Sequence, residues 1–556
     1  MQDFRKICLL NTTFLMSVLF TGILMPACLL AQDLKLDGWD HYSPLDPSRL
    51  RAGVLLSGNE PGYSSPVVAE IDANTANGNE LAIASSDGRL YVYKSDGSLH
   101  WQVDLPVRKC TKASNTNKVH SSPAVGELFG DGIPYVVIGY GAVGGGSACG
   151  GGVVAYNGVN GSMRWHFSTK RFSKKQKFWA QYHTVFSTPA LADTNGNGKL
   201  EVGFSSFDRN VYFLNARGKA KWYYMAADTS WSSAAFADID GDSNLEMIIG
   251  TDISENKALR PPTQNGGYVY AFKTKQKRLR KKSARNKKTL RINFRDSSAF
   301  KWQTSFNQVI MSSPVVAELI PNNPGSEIVI GSGCYFPESS SNKQGKWFKI
   351  LSASTGEVLK TLSVDACSTS TAAVGDVNED GQLEVVVSVN GSRNVGGDGD
   401  GKLVAFNPRT EEVLWSVVPK YNNRNNEYLG NFTSPIIADL DANGSLEVII
   451  SSGSGVGIFN GLDGSALSCQ QSSCDDQIKL GTGGDMQGSP AVADINNDGV
   501  LDLFVGSKRK YDSTYGVVHG WTGFAGVLKS RFGTLSESLS PWPMHRGDAL
   551  RRGRVR

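Results

Sequence analysis

Residues 187–206, STPALADTNGNGKLEVGFSS, decide the fold. A pair of small hydroxyl residues opens a short apolar run, an oxygen-rich loop follows, and a second apolar run begins at Leu200. Within the loop Asp193, Asn195 and Asn197 alternate, Gly198 permits a sharp turn, and Glu201 stands at the ninth position. Nearly the same string returns along the chain. SSPVVAEID starts at Ser64, SSPAVGELF at Ser121, SSAAFADID at Ser232 and SSPVVAELI at Ser312. STAAVGDVN starts at Ser370, TSPIIADLD at Thr433 and GSPAVADIN at Gly488. Self-similarity at such spacings marks a repeat architecture rather than a string of unrelated domains.

Each unit continues into a β-branched run such as LEVVVSV or LEVIISS. Most add two further strand-like segments, as in GRLYVYKSDGSLHWQVDL. Alternating apolar residues divided by Asp-Gly and Asn-Gly dipeptides predict hairpins. One unit is therefore four short strands, A to D in chain order. Such units bury their faces only against one another, and radial stacking achieves this. The sequence thus predicts an all-β protein, an eight-bladed β-propeller of four-stranded antiparallel blades. Seven blades is the alternative if the first and last units share one where the ring closes. A 40% hydrophobic content supports a core, and 61 glycines suit many turns. The expected divisions are a leader over 1–31, a lead-in over 32–59, the propeller over 60–535 and a closing segment with a basic tail over 536–556.

The pairing of SPAVADIN with a D-x-N-x-D-G loop resembles the FG-GAP, or VCBS-type, repeats of integrin α-like propellers and many exported bacterial proteins. The resemblance spans about residues 60–530; it implies the fold and calcium, and is silent on ligand. Separately, VVAYNGVNGSMRW and LVAFNPRTEEVLW are similar to the tryptophan-docking motif of quinoprotein propellers, which also have eight blades. That similarity implies that Trp101, Trp165, Trp222, Trp302 and Trp415 pack between blades. It also opens an alternative in which the chain is an enzyme carrying PQQ.

Calcium takes roughly six to eight oxygen ligands from a flexible cradle, and alternation turns successive side chains inward. Five loops follow this plan. They are Asp193, Asn195, Asn197 and Glu201; Asp238, Asp240, Asp242 and Glu246; Asp376, Asn378, Asp380 and Glu384; Asp439, Asp441, Asn443 and Glu447; and Asp494, Asn496, Asp498 and Asp502. Asp and Asn also favour turns for their own sake, but that preference does not restore a carboxylate at the ninth position. Five structural Ca2+ ions clamping A-to-B turns are expected. EIDANTANGNE is a lengthened sixth candidate. ELFGDGIPY lacks the final acid and ELIPNNPGSE lacks most ligands, so both are expected to close without metal.

Arg5 and Lys6 followed by LMSVLFTGILMPACLLA read as a signal peptide cleaved after Ala31, with a lipoprotein anchor at Cys28 as the alternative. No later run is long enough to cross a membrane. The expected location is secreted, periplasmic or cell-surface. Six cysteines remain beyond the leader, an even set that suits disulfides in an oxidising compartment. Up-and-down strand order puts A-to-B and C-to-D turns on one face, and B-to-C and D-to-A connections on the other. Cys110 with Cys149, Cys334 with Cys367, and Cys469 with Cys474 then become same-face pairs.

That second face carries the longer connections, where binding tends to reside. The residues just before each unit should ring the channel mouth: Tyr63, His120, Phe186, Trp231, Met311, Thr369, Phe432 and Gln487. The aromatic members suit a carbohydrate or surface-protein ligand, and equally suit plugging the channel. Net charge is +5, yet residues 273–295 hold twelve Lys and Arg and no acid, leaving the remainder net acidic. This basic insertion, between strands C and D of unit four, could attract a polyanion. Without interleaved aromatics it does not specify nucleic acid. SPWPMHRGD resembles a closing segment found after such propellers and contains the integrin-recognition tripeptide Arg546-Gly547-Asp548. Two functional classes remain: a ligand-binding or adhesion-type module, and a propeller enzyme such as a quinoprotein dehydrogenase or calcium-dependent polysaccharide lyase.

Overall fold

The hydroxyl pair that opens each unit holds the ring together. Its first member ties strand A to strand B of the same blade: Ser121 Oγ accepts from Gly139 N (3.1 Å), Ser187 Oγ from Ser205 N (3.1 Å) and Ser312 Oγ from Gly331 N (2.7 Å). Its second member accepts the backbone N–H of the equivalent residue one blade earlier. Ser65 N donates to Ser122 Oγ, Ser122 N to Thr188 Oγ1, Thr188 N to Ser233 Oγ and Ser233 N to Ser313 Oγ. Further round, Thr371 N donates to Ser434 Oγ and Ser434 N to Ser489 Oγ. Ser489 N then donates to Ser65 Oγ at 2.9 Å, joining the eighth unit to the first. The belt satisfies buried donors that the short inner strands leave over, and it fixes the blade count at eight.

The computed structural model describes residues 34–556 apart from 44–45, 57–60, 108–109, 111–117, 143–148, 179, 253, 277–279, 283–287, 291–292, 334–344, 392–399, 421–432, 470–477, 483, 509–515, 525–527, 529–542, 549–551 and 553–556. The blades are antiparallel sheets in A-B-C-D order, as in blade 2: Ala124–Gly126, Tyr135–Gly141, Gly151–Asn157 and Met163–Ser168. Strand A is short and small, and strands B and C are buried throughout in most blades. One α-helix, α1 (Thr169–Gln176), lies between blades 2 and 3. Among the described residues blade 7 has strands A to C, and Ala466 bridges Phe459 beyond them.

The lead-in expected outside the propeller belongs to it. Val54–Leu55 pairs with Gly516–Trp521 as the outer strand of blade 8. Trp39 is fully buried, lies 4.9 Å from the Phe504 ring and donates to the Ser95 carbonyl. An N-terminal strand completing a C-terminal blade closes the wheel by backbone pairing and removes an exposed edge.

At the rim five tryptophans each staple one blade to the next. Nε1 of Trp101, Trp165, Trp222, Trp302 and Trp415 donates to the carbonyls of Gly158, Ala216, Thr274, Ala353 and Gly461 respectively. The indole lies flat on the neighbouring C-to-D turn, so closely that a Cβ at Gly218 would stand 2.5 Å from Trp165. Blade 5 has Lys360 there instead, pairing with Glu411 of blade 6.

The closing segment runs into the ring. Met544 bridges Ala491 and Val492 N donates to the Pro543 carbonyl in blade 8, while Phe236 N of blade 4 donates to the Arg552 carbonyl. Arg546 is fully buried and donates to the Ala234 carbonyl, and Asp548 accepts from Arg552 Nε at 2.7 Å. Arg546-Gly547-Asp548 is therefore an internal strut and offers no adhesive tripeptide.

The belt makes a direct prediction. Ser489→Ala leaves the buried Ser434 N–H without its acceptor and should cost about 1–3 kcal/mol. Denaturant unfolding should show a lower midpoint at unchanged slope; an unchanged midpoint would refute the belt's role.

Candidate functional site

In each of the five acidic loops the first aspartate folds the turn. Asp193 accepts from Asn197 N (3.0 Å) and Gly198 N (2.7 Å), Asp376 from Asp380 N (3.0 Å) and Gly381 N (2.9 Å). Asp439 takes Asn443 N and Gly444 N, Asp494 takes Asp498 N and Gly499 N, and Asp238 takes Gly241 N and Ser243 N. The ninth-position acid is the first residue of strand B and reaches back to the loop's second N–H: Thr194 N to Glu201, Leu440 N to Glu447, Ile495 N to Asp502. One carboxylate oxygen is thereby used. The other, in Glu447 and Asp502, is buried and has no hydrogen-bond partner; the same holds for Glu384 Oε2, whose Oε1 accepts from Arg409. Burial pushes Glu246 and Glu384 up to about 7 and Asp502 to about 6. Glu447 rises to about 9, through burial first and then the charge of Asp441.

Compensation differs between loops. Lys301 of strand D contacts Asp240 and stands 3.8 Å from Asp242 and from Glu246. Arg409 Nη2 lies 3.1 Å from Asp380 and 2.9 Å from Glu384, and Lys221 Nζ lies 3.1 Å from Glu201. Asp439, Asp441 and Glu447 form a wholly buried group with oxygens within 4.8 Å of one another. Among the described residues no Lys or Arg forms an ion pair with Asp439 or Glu447. Three carboxylates that close cannot all ionise in a dry site without a cation. The donors are all oxygens and a buried oxygen is left over, which fits a hard divalent ion such as calcium. Glu70, Asp72 and Glu80 converge likewise in the lengthened loop, with Glu80 Oε1 buried and unpartnered and Glu80 raised by burial to about 7. Glu70 was not singled out from sequence; its only signal is the E-x-D opening of that loop. In unit five Glu327 is satisfied by Leu319 N, Ile320 N and Asn323, and in unit two Tyr135 takes the acid's place and reaches Asp131.

On the opposite face Tyr63, His120, Phe186, Trp231, Met311 and Thr369 line one basin open to solvent, with His545 of the closing segment also lining it. The aromatic members stack on each other: Tyr63 on His120 at 5.1 Å, His120 on Phe186 at 3.9 Å, and Phe186 against Trp231 at 4.2 Å. Hydroxyls of Ser122, Thr188, Ser233 and Thr371 fill the wall between them. Gln487 lines a separate hollow with Pro61, Asp485 and Lys508. Phe432 lies outside the described residues.

The loop segment can now be placed. Residues 439–505 match the FG-GAP-like repeat. This repeat contains the two acidic loops that begin at Asp439 and Asp494. No curated protein matches the chain. Among solved structures it is similar to BamB from Moraxella catarrhalis, at 14% identity and TM-score 0.45, over 84% of this chain and 100% of that one. It is also similar to quinohemoprotein alcohol dehydrogenase ADHIIG from Pseudomonas putida HK5, at 12% identity and TM-score 0.49, over 87% and 80%. The V. cholerae biofilm matrix protein Bap1 follows at 13% identity and TM-score 0.36, over 74% and 89%. Likeness at this level says nothing about activity.

Outside the FG-GAP-like repeat, two further sequence expectations have structural outcomes. Cys110 and Cys149 are disulfide-bonded, joining a D-to-A and a B-to-C connection across one face. Cys367 and Cys469 are disulfide-bonded as well; Cys334 and Cys474, expected as their partners, lie outside the described residues. The basic insertion between strands C and D of blade 4 contains a hairpin, Arg280–Lys282 with Lys288–Leu290. Its end, Asn293–Phe294, is fastened parallel to Tyr223–Tyr224 as a fifth strand of blade 3.

Proposed function

We propose that the chain is an exported, calcium-braced propeller that binds a carbohydrate or surface protein across the face bearing its B-to-C and D-to-A connections. The observation that carries this reading is the convergence of residues from six successive units, Tyr63 to Thr369, into one basin walled by aromatic rings and hydroxyls. A basin of stacked rings and polar edges suits a ligand with flat apolar and hydroxyl-bearing faces. Asp439, Asp441 and Glu447, buried together with Asn443 beside them, are the residues that would hold calcium most readily; Asp494, Asn496, Asp498 and Asp502 form a more exposed loop on the same plan. An ion at Asp439, Asp441 and Glu447 would supply the positive charge that their burial demands. The loops at Asp193, Asp238 and Asp376 rank below them, because Lys221, Lys301 and Arg409 already share that charge. Braced A-to-B turns keep the blades, and hence the loops at their other ends, preorganised. The leader and the Cys110–Cys149 bridge accord with export.

A glycan array probed in calcium tests the recognition half. Retention by one glycan class, lost in Trp231→Ala at an unchanged melting temperature, is the expected result. Retention indifferent to Trp231, or no retention of any glycan, would contradict it.

A further inference from the structure

Blade 2 carries a charge asymmetry that the net charge hides. Between Asp131 and Asp193 the sequence contains no Asp or Glu, but it contains Arg164, Lys170, Arg171, Lys174, Lys175 and Lys177. Five of these six lie in or directly after α1, in the D-to-A connection on the basin face. Arg171, Lys174, Lys175 and Lys177 are exposed, and none of them forms an ion pair among the described residues. Helical spacing sets Arg171 beside Lys174 and Lys175 on one ridge.

The ridge is held rigidly. Phe172 packs edge-on against Tyr212 (5.6 Å) and Tyr223 (5.0 Å) of blade 3, and lies 5.1 Å from Phe167 of blade 2. Ser168 caps the N-terminus by accepting from Arg171 N, and at the other end Lys177 N and Phe178 N donate to Lys174 O and Ser173 O. Thr169 Oγ1 donates to the His183 carbonyl at 2.6 Å, tying the helix to the segment that ends at Phe186 in the basin. Burial, with Lys170 and Lys174 adding, depresses His183 to about 4, as a locally positive field requires.

Resting on the binding reading above, we infer that α1 and the adjoining basin rim dock an acidic polysaccharide, a polymer bearing carboxylates or sulfates on its sugars. Unpaired, preorganised cations supply the charge complement at low entropic cost. Nucleic acid fits less well, because the aromatic ring of α1 itself, Phe172, is packed against Tyr212 and Tyr223 and does not interleave with the cations. A membrane fits less well, because among the described residues the exposed large apolar side chains Leu99, Val159, Met163, Val358, Val413 and Leu414 lie in C-to-D turns or at the starts of outer strands, at the end of the blades opposite α1.

The test measures binding of polygalacturonate and neutral dextran to the full chain in calcium by interferometry. Three proteins are compared: the native chain, R171Q/K174Q/K175Q/K177Q, and the insertion variant K281Q/K282Q/K288Q. The helix variant should bind polygalacturonate at least about tenfold more weakly and with a flatter salt dependence, while the insertion variant stays within about twofold. The milder K174Q/K175Q, confined to exposed side chains, should show the same effect at smaller scale. Undiminished binding by both helix variants overturns this inference alone. Tighter native binding to single-stranded DNA or phosphatidylglycerol vesicles than to polygalacturonate overturns it in favour of those partners. No native binding to any glycan removes the parent reading as well.

Discussion

Trp222→Ala is expected to lower folding stability by about 3–5 kcal/mol, the range for removing a large buried ring. The indole is 1% exposed, stacks on Phe213 at 5.2 Å within blade 3 and meets Phe272 at 5.6 Å across the boundary with blade 4. Its Nε1 donates to the Thr274 carbonyl, so alanine also strands an acceptor at the rim. Trp222→Phe should keep most of the packing and lose the hydrogen bond, costing about 1–3 kcal/mol. Lys360 is the internal control. It occupies the tryptophan position of blade 5 but forms only a half-exposed ion pair, so Lys360→Ala should cost no more than about 1 kcal/mol. Denaturant unfolding measures all three. Equal losses for Trp222→Ala and Lys360→Ala would show that blades are not stapled at the rim.

The second large effect is calcium itself. A single site saturated at about a hundredfold its dissociation constant adds about 2.7 kcal/mol. The metal-free chain should also respond to pH in a defined direction. Glu447, Glu246, Glu384 and Asp502 have folded values above their ordinary range, so the folded chain binds more protons than the unfolded one over that interval. Their stabilising share is complete below the ordinary carboxylate range and disappears as pH rises through about 6 to about 9. Chelated protein should therefore melt at lower temperature at about pH 9 than at about pH 5, and calcium should flatten that fall by taking the protons' place. Glu447→Gln should remove its share of the slope. A chelated melting temperature that rises over this interval would reverse the assignment.

Much of this was legible in the sequence because the repeat is written in short-range signals. The hydroxyl pair, the alternating loop and the ninth-position acid each recur within one unit, and most of the Trp positions follow a short polar turn such as Asp-Gly, Asn-Gly or Thr-Glu. What escaped depends on partners distant in the chain. Val54–Leu55 is too short to show a period, and its partner strand starts at Gly516. Lys301 and Arg409 neutralise loops through folding back of strand D or the C-to-D turn, which loop composition alone does not reveal. TKRFSKKQ reads as a polar connection because Phe172 is its one apolar residue and the side chains its helix buries, Thr169 and Ser173, are polar. The burial of Arg546 follows from ring closure and has no local signal.

The central claim is that buried carboxylates at the A-to-B turns are completed by a divalent ion. Calorimetric titration of calcium into the chelated chain, beside Glu447→Gln, addresses it most directly. Saturable binding with proton release, a rise in melting temperature and the loss of one site in the variant are expected. Absence of binding up to about millimolar calcium, with identical melts before and after, would contradict it.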